Sequence, residues 1–363
     1  MSKPIVVVIH GMGVHTKDSF KKEIQTPLDN ASERFVSIDK FSDTFEVISI
    51  AYDEIWNEIR EKLADNAGSI SDSLSGITDQ GNLAAIATKL TSIEAKFNDD
   101  SFLYTHVLDV ILYKTFYGER TRVHVAKELV KAIRKANDTN RPIHIIAHSL
   151  GTAVIHDVLH KIFENEHTGD IPSDLGIDTP NLDPLENQLY SLYMVANVSC
   201  VVDGSVDAHK SAVRPGAKKL CGQMINVHHK FDPFTLVKSF VRERSDGWIN
   251  EQDWDDQIYR DIQTRRVLQV NIHDIGHYLN DPLVYQDIFN TMYDDFDPTD
   301  AEIATADQAH IDAIVDAANG AVKKAIESAN WTIPQSAKDF WEVLSKYYQT
   351  LEELKTLAGI GDE

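Results

Sequence analysis

The sequence predicts an α/β fold in which a doubly wound, mostly parallel β-sheet is covered by helices on both faces. Short apolar, β-branched runs are typical of buried strands, and they lie at residues 5–9, 45–51, 142–146, 189–202, 223–228 and 267–272. Stretches with apolar residues at helical spacing, such as 120–136 and 154–163, separate several of these runs. Alternation of strands with helices favours a parallel sheet, because each parallel connection must cross over one face of the sheet.

Composition excludes several classes of protein. The chain has 363 residues, a hydrophobic fraction of 42% and a formal net charge of -22. This length allows a large buried core. The negative charge argues against nucleic-acid binding, since phosphate contacts need clustered Lys and Arg, and against electrostatic docking on an anionic membrane.

The N-terminus and the cysteine content indicate the compartment. One lysine precedes the apolar run at residues 4–9, which resembles a strand more than a secretory leader. No stretch reaches the ~18 apolar residues of a transmembrane helix. Cys200 and Cys221 are too few for a disulfide framework. We therefore expect a cytoplasmic protein.

Ser149 stands at a sharp corner between a strand and a helix. The corner has the sequence Ala147-His148-Ser149-Leu150-Gly151. A serine there has its Oγ pushed out of the sheet, with the free N–H groups of the helix N-terminus behind it. This position favours a nucleophile. The alternative is that Ser149 only caps the helix.

A glycine-rich segment, His10-Gly11-Met12-Gly13, follows the first predicted strand. Such a segment lets backbone N–H groups point into the crevice where open α/β sheets bind ligands, although it could also be a plain turn. The chain has no GxGxxG and no Walker lysine, and the spacing of its histidines matches no zinc pattern. We therefore expect neither a cofactor nor a metal.

Together with Asp232-Pro233 and His277-Tyr278, these motifs resemble the serine hydrolases of the α/β-hydrolase superfamily, of the lipase and carboxylesterase kind. The order Ser, Asp, His is the order of that family. The resemblance covers about residues 3–290. One departure is Ala147, where the family pattern has glycine.

The resemblance implies a catalytic triad in which Ser149 is the nucleophile. Asp232 follows the predicted strand 223–228 and is favoured as the acid, with Asp203 as its rival. His277 is favoured as the base because Gly276 lets the loop turn, whereas His273 directly follows the predicted strand 267–272. The backbone N–H groups of Leu150 and Met12 would form the oxyanion hole.

The function that this implies is hydrolysis of a small-molecule or lipid acyl ester through an acyl-enzyme. Two alternatives stay open at this point. One is an acyltransferase or thioesterase with the same triad, and the other is a non-catalytic protein that uses the fold to bind a ligand or partner.

Two regions lie outside the expected hydrolase domain core. Residues 53–118 have helical character and no strand, which predicts a helical insertion within a domain of residues 1–295. Residues 296–363 carry two apolar helix faces with Pro334 between them. They predict a C-terminal helical hairpin, docked on the main domain or used for association with a second copy of the chain.

Overall fold

The computed structural model describes a large part of the chain. The described residues are 2–11, 16–52, 55, 113, 118–163, 182–202, 211–230, 232, 234–235, 240, 257–268 and 272–327, with only the backbone described at 201 and 317–327. Contacts divide the chain into two units, one of Met1–Gly11, His15–Ala51 and Val123–Ala329, and one of Met12–Val14, Tyr52–Arg122 and Asn330–Glu363. The strands and the candidate site described below belong to the first unit.

A parallel sheet forms the centre of the first unit. Its strands in the described part of the chain are β1 (Ile5–Ile9), β2 (Glu46–Ile50), β3 (Ile143–His148), β4 (Leu189–Val195), β5 (Cys221–His229) and β6 (Tyr259–Thr264). They lie side by side in the order β2-β1-β3-β4-β5-β6, and each neighbouring pair is parallel. The expected α/β class and parallel sheet are therefore confirmed.

The sheet reverses its direction of growth between β1 and β3. The chain moves outward from β1 to β2, and then returns to the other side of β1 to form β3 and the strands that follow. Ile9 pairs with Ala147, so the carboxyl ends of β1 and β3 finish level with each other. Open α/β sheets bind their ligands in the crevice at such a switch point.

Helices cover the sheet. They are α1 (Lys17–Ser32), α2 (Phe41–Thr44), α3 (Gly118–Asp138), α4 (Leu150–Phe163), α5 (Ser199–Val202), α6 (Ile275–Leu279), α7 (Pro282–Met292) and α8 (Asp300–Glu327). Thr16 starts α1 with a capping box, and Asp281 caps α7 through the Leu283 N–H. None of the helices in the described part of the chain has the length and apolarity that a membrane crossing requires.

The core on one side of the sheet joins α1 and α7 to the central strands. Phe20, Ile24 and Leu28 of α1 are buried with Tyr285 and Phe289 of α7 against side chains of β1, β3, β4 and β5. All five residues of β1 and all six of β3 are buried. Burial on both faces explains why β1 is a continuous apolar run and why β3 is mostly apolar, with His144 and His148 as its polar positions.

The expected strand at 267–272 is wrong where the structure describes it. The sixth strand is Tyr259–Thr264, residues 265–268 form no strand, and residues 269–271 lie outside the described residues. The polar sequence of β6 explains the error. Among the described strands β6 pairs only with β5, so some of its positions are partly solvated, and its exposure alternates along its length.

Other expectations differ in extent. The run 189–202 is a strand only as far as Val195, after which Ala196 adopts a positive φ and a short helix follows. The expected insertion at 53–118 lies almost wholly outside the described residues. The first tail helix is α8, and the second, around 340–354, lies outside them too.

Candidate active site

Ser149 lies at the carboxyl end of β3, at the switch point of the sheet. Its φ is 53°, a left-handed conformation that residues with a Cβ adopt only at some cost. Its N–H donates to the carbonyl of Val195 at 3.0 Å. Its carbonyl accepts hydrogen bonds from the N–H and the hydroxyl of Thr152, at 2.8 and 2.6 Å. These bonds hold the turn in its strained form.

Two glycines allow the segment after β1 to pack against this turn. A Cβ at Gly151 would lie 2.3 Å from the carbonyl oxygen of His10, and a Cβ at Gly11 would lie 2.4 Å from the Cβ of Ser149. Neither distance is compatible with a side chain unless the backbone moves. The ring of His10 donates from Nδ1 to the carbonyl of Gly11 at 2.7 Å, which fixes the start of this segment.

A continuous hydrogen-bonded chain links Ser149 to His273 and Asp232. Nε2 of His273 lies 2.6 Å from Oγ of Ser149, and Nδ1 lies 2.8 Å from Oδ2 of Asp232. A carboxylate only accepts, so Nδ1–H donates to Asp232 and Nε2 accepts the hydroxyl proton of Ser149. The three residues are 1%, 4% and 0% exposed. Each bond is therefore shielded from water.

Asp232 is held by three donors. Besides His273, the hydroxyl of Tyr278 donates to Oδ2 at 2.5 Å, and the N–H of Phe234 donates to Oδ1 at 2.9 Å. Burial raises the pKa of the Asp232 carboxyl, but the interaction with His273 and the hydrogen bonds from Tyr278 and Phe234 outweigh it and lower that pKa below its ordinary value. Asp232 is thus an anion near neutral pH.

His148 ties the segment that carries His273 to the turn that carries Ser149. Its Nε2 lies 2.8 Å from the backbone carbonyl of His273, and because a carbonyl only accepts, the ring N–H donates. The two imidazole rings lie 5.3 Å apart. The residue before Ser149 thus helps to set the position of His273.

His277, which the sequence favours as the base, is placed elsewhere. Its Nε2 accepts the backbone N–H of Leu268 at 3.2 Å, and its ring packs against that of His229 at 5.0 Å. Burial lowers the pKa of His277 to about 4, helped by His229 and His310. The Nε2 of His277 is thus occupied by the main chain, and the histidine that the structure brings to Ser149 is His273.

The misplaced last strand explains why the sequence favoured His277 over His273. With β6 ending at Thr264, His273 lies nine positions beyond the strand, which leaves enough chain to return over the sheet edge. Asp274 then caps α6 by accepting the N–H of Gly276 at 2.8 Å. Asp is a favoured N-cap residue, so Asp274 is the sequence signal for this helix start.

The remaining expected residues are only partly described. Leu150 is the first residue of α4 and is buried. A helix leaves its first N–H groups without acceptors inside the helix, so the N–H of Leu150 has no partner within α4. Met12 and Asp203 lie outside the described residues.

No group of three or more His, Cys, Asp or Glu among the described residues could hold a metal ion. Comparison with protein-family models, curated proteins and solved structures finds no match to this chain. The chemistry of the site is therefore argued from its geometry.

The arrangement has the parts that nucleophilic catalysis needs. Ser149 has an acceptor for its proton in His273, and His273 is oriented by the anionic Asp232. The adjacent helix start offers N–H groups to a developing negative charge. In such an arrangement the serine hydroxyl can pass its proton to the imidazole, as nucleophilic attack by Oγ would require.

Proposed function

We propose that this protein is a serine hydrolase of the α/β-hydrolase kind, which cleaves carboxylic esters through an acyl-enzyme. The observation that carries the proposal is the 2.6 Å hydrogen bond between Ser149 Oγ and His273 Nε2, continued at 2.8 Å to Asp232. A nucleophile, a base and an orienting carboxylate in one hydrogen-bonded chain are the geometric signature of acyl transfer. A serine that served only as a helix cap would need neither partner.

In the proposed reaction, Ser149 Oγ attacks the ester carbonyl while its proton passes to His273 Nε2. Asp232 stabilises the resulting imidazolium and stays ionised. The tetrahedral intermediate collapses, the C–O bond to the alcohol breaks, and His273 returns the proton to the leaving alkoxide. Water then attacks the acyl-enzyme by the same route, and Ser149 is regenerated.

The position of Ser149 in the fold supports the same assignment. It lies where the sheet changes its direction of growth, and the segment that leaves β1 packs directly against it. Crevices at such points are where α/β proteins bind small molecules. The N–H of Leu150 is the first oxyanion donor, and we propose the N–H of Met12 as the second.

A fluorophosphonate probe tests the nucleophile and the base. We expect covalent labelling of the wild type, no labelling of Ser149→Ala, and a fall in labelling rate of roughly 10²–10⁴-fold in His273→Ala, the usual contribution of a general base. His277→Ala is the matched control, because it removes a second buried histidine from the same segment without touching Ser149. Labelling that persists in Ser149→Ala would refute the proposal. Loss of labelling in His277→Ala but not in His273→Ala would show that His277 is the base.

A series of p-nitrophenyl esters of increasing acyl length tests the reaction itself. We expect turnover that depends on acyl length and that is lost in Ser149→Ala. A protein that is labelled by the probe but hydrolyses none of the esters would favour transfer of the acyl group to an acceptor other than water.

A further inference from the structure

Tyr278 forms a hydrogen bond with Asp232, the carboxylate of the proposed catalytic triad. It lies in α6 with no exposed surface, and its hydroxyl donates to Asp232 Oδ2 at 2.5 Å. This is the same oxygen that accepts Nδ1–H of His273 at 2.8 Å. Two donors therefore share one carboxylate oxygen, while the N–H of Phe234 occupies the other.

One short segment supplies both donors to Oδ2. His273 precedes the cap residue Asp274, and Tyr278 follows four positions later within α6. The cap bond to Gly276 fixes the start of this helix, and the carbonyl of His273 is held by His148. The spacing between the imidazole of His273 and the phenol of Tyr278 is thus set by local structure. Asp232 accepts hydrogen bonds from two donors whose relative position is already fixed.

We propose that Tyr278 is a positioning residue, which fixes the Asp232 carboxylate in the orientation that His273 needs and limits the strength of the hydrogen bond between them. This inference rests on the proposed function. A carboxylate held by His273 and one backbone N–H alone could still rotate about its χ2 torsion. The third donor removes that freedom and draws electron density from the oxygen that faces the imidazole.

The ionisation of the group agrees with this role. Burial and the neighbouring Asp232 charge raise the pKa of Tyr278 well above its ordinary value, so it remains a donor at all pH values of interest. Among the described residues, the rings of His148 and His277 also face it, with centroids at 6.5 and 6.0 Å.

Tyr278→Phe tests the proposal, with Tyr193→Phe as the matched control. Tyr193 is also buried and donates to a carboxylate, Asp287 Oδ1, at 2.7 Å, in a network away from Ser149. The first measurement is the low-field proton resonance of His273 Nδ1–H, assigned by its loss in His273→Gln. We expect it to move further downfield in Tyr278→Phe, since Oδ2 then serves one donor, and to stay in place in Tyr193→Phe.

The second measurement is the rate of fluorophosphonate labelling as a function of pH. We expect Tyr278→Phe to be labelled about ten-fold more slowly, the scale of one lost hydrogen bond to a charged group. We also expect the acid limb of its profile to move to higher pH, because Asp232 then interacts more strongly with the imidazolium. An unmoved resonance together with a wild-type rate and profile would overturn the positioning role.

Replacement of Tyr278 by 3-fluorotyrosine keeps the test decisive where loss of the hydroxyl disturbs folding. The side chain keeps its shape and becomes a stronger donor, so the resonance should move upfield, opposite to the change in Tyr278→Phe. Absence of any upfield shift would count against the proposal. Failure of the wild type to react with the probe would instead refute the proposed function, and the resonance would still report on Tyr278.

Discussion

Ser149 has the backbone geometry that the proposed nucleophile turn requires, and that geometry can be tested without any substrate. Its φ of 53° costs a residue with a Cβ about 1–2 kcal/mol relative to the right-handed region. Glycine adopts such a φ without this cost. Comparison of Ser149→Gly with Ser149→Ala therefore reports the strain, since both variants lack the hydroxyl.

Ser49 of β2 provides the matched control, because it lies in an extended strand and is also buried, with 9% of its surface exposed. At either position, glycine loses the burial of one Cβ relative to alanine and gains entropy in the unfolded chain. These two costs are common to both positions. We therefore expect the Gly-minus-Ala difference in free energy of unfolding to favour glycine more at 149 than at 49, by about 1–2 kcal/mol.

Urea unfolding of the four variants, followed by circular dichroism, measures the two differences. Comparison of midpoints with a common m-value gives each free-energy difference. Equal Gly-minus-Ala differences at the two positions would show that Ser149 does not hold a left-handed conformation in solution. The argument for a strained turn at the end of β3 would then fail.

Two further predictions concern stability. Burial lowers the pKa of His144 to about 3. Below about pH 6.5 the unfolded chain therefore binds a proton at this histidine that the folded chain does not bind. The free energy of unfolding should fall as the pH drops, by about 2 kcal/mol between pH 6 and pH 4. His144→Gln should remove this part of the slope in urea unfolding across that range, and an unchanged slope would contradict the burial argument. Gly151→Ala places a Cβ 2.3 Å from the carbonyl oxygen of His10, so we expect a loss of about 1–3 kcal/mol and slower probe labelling. Wild-type stability and labelling in Gly151→Ala would show that α4 and β1 are not packed as described.

The parts of the fold that could be predicted from sequence are those with a local cause. β1 and β3 lie inside the sheet and are buried on both faces, so they appear as mostly apolar runs close to their observed bounds. The corner at Ser149 is similarly local, because a strand, a small residue and a helix start are adjacent in the chain. Asp232 could be favoured because it closely follows β5.

The sequence did not reveal β6 as the last strand, because the pairing and burial of this segment depend on its position in the sheet. β6 pairs only with β5 among the described strands and has partly exposed positions, so polar residues such as Arg260 and Asp261 occur within it. The more apolar run at 267–272 has the stronger local strand pattern. The hydrophobic pattern of a single segment does not show whether another strand will pair with it.

The sequence by itself determined the α/β class, the nucleophile candidate and the candidate for its acid. The tertiary structure decided which histidine meets Ser149, because His273 and His277 lie only four positions apart in one segment, the first just before α6 and the second within it. It also decided the role proposed for Tyr278, since the contact with Asp232 joins residues that are 46 positions apart. Contacts of that separation depend on the path of the chain after β6, which no local pattern encodes.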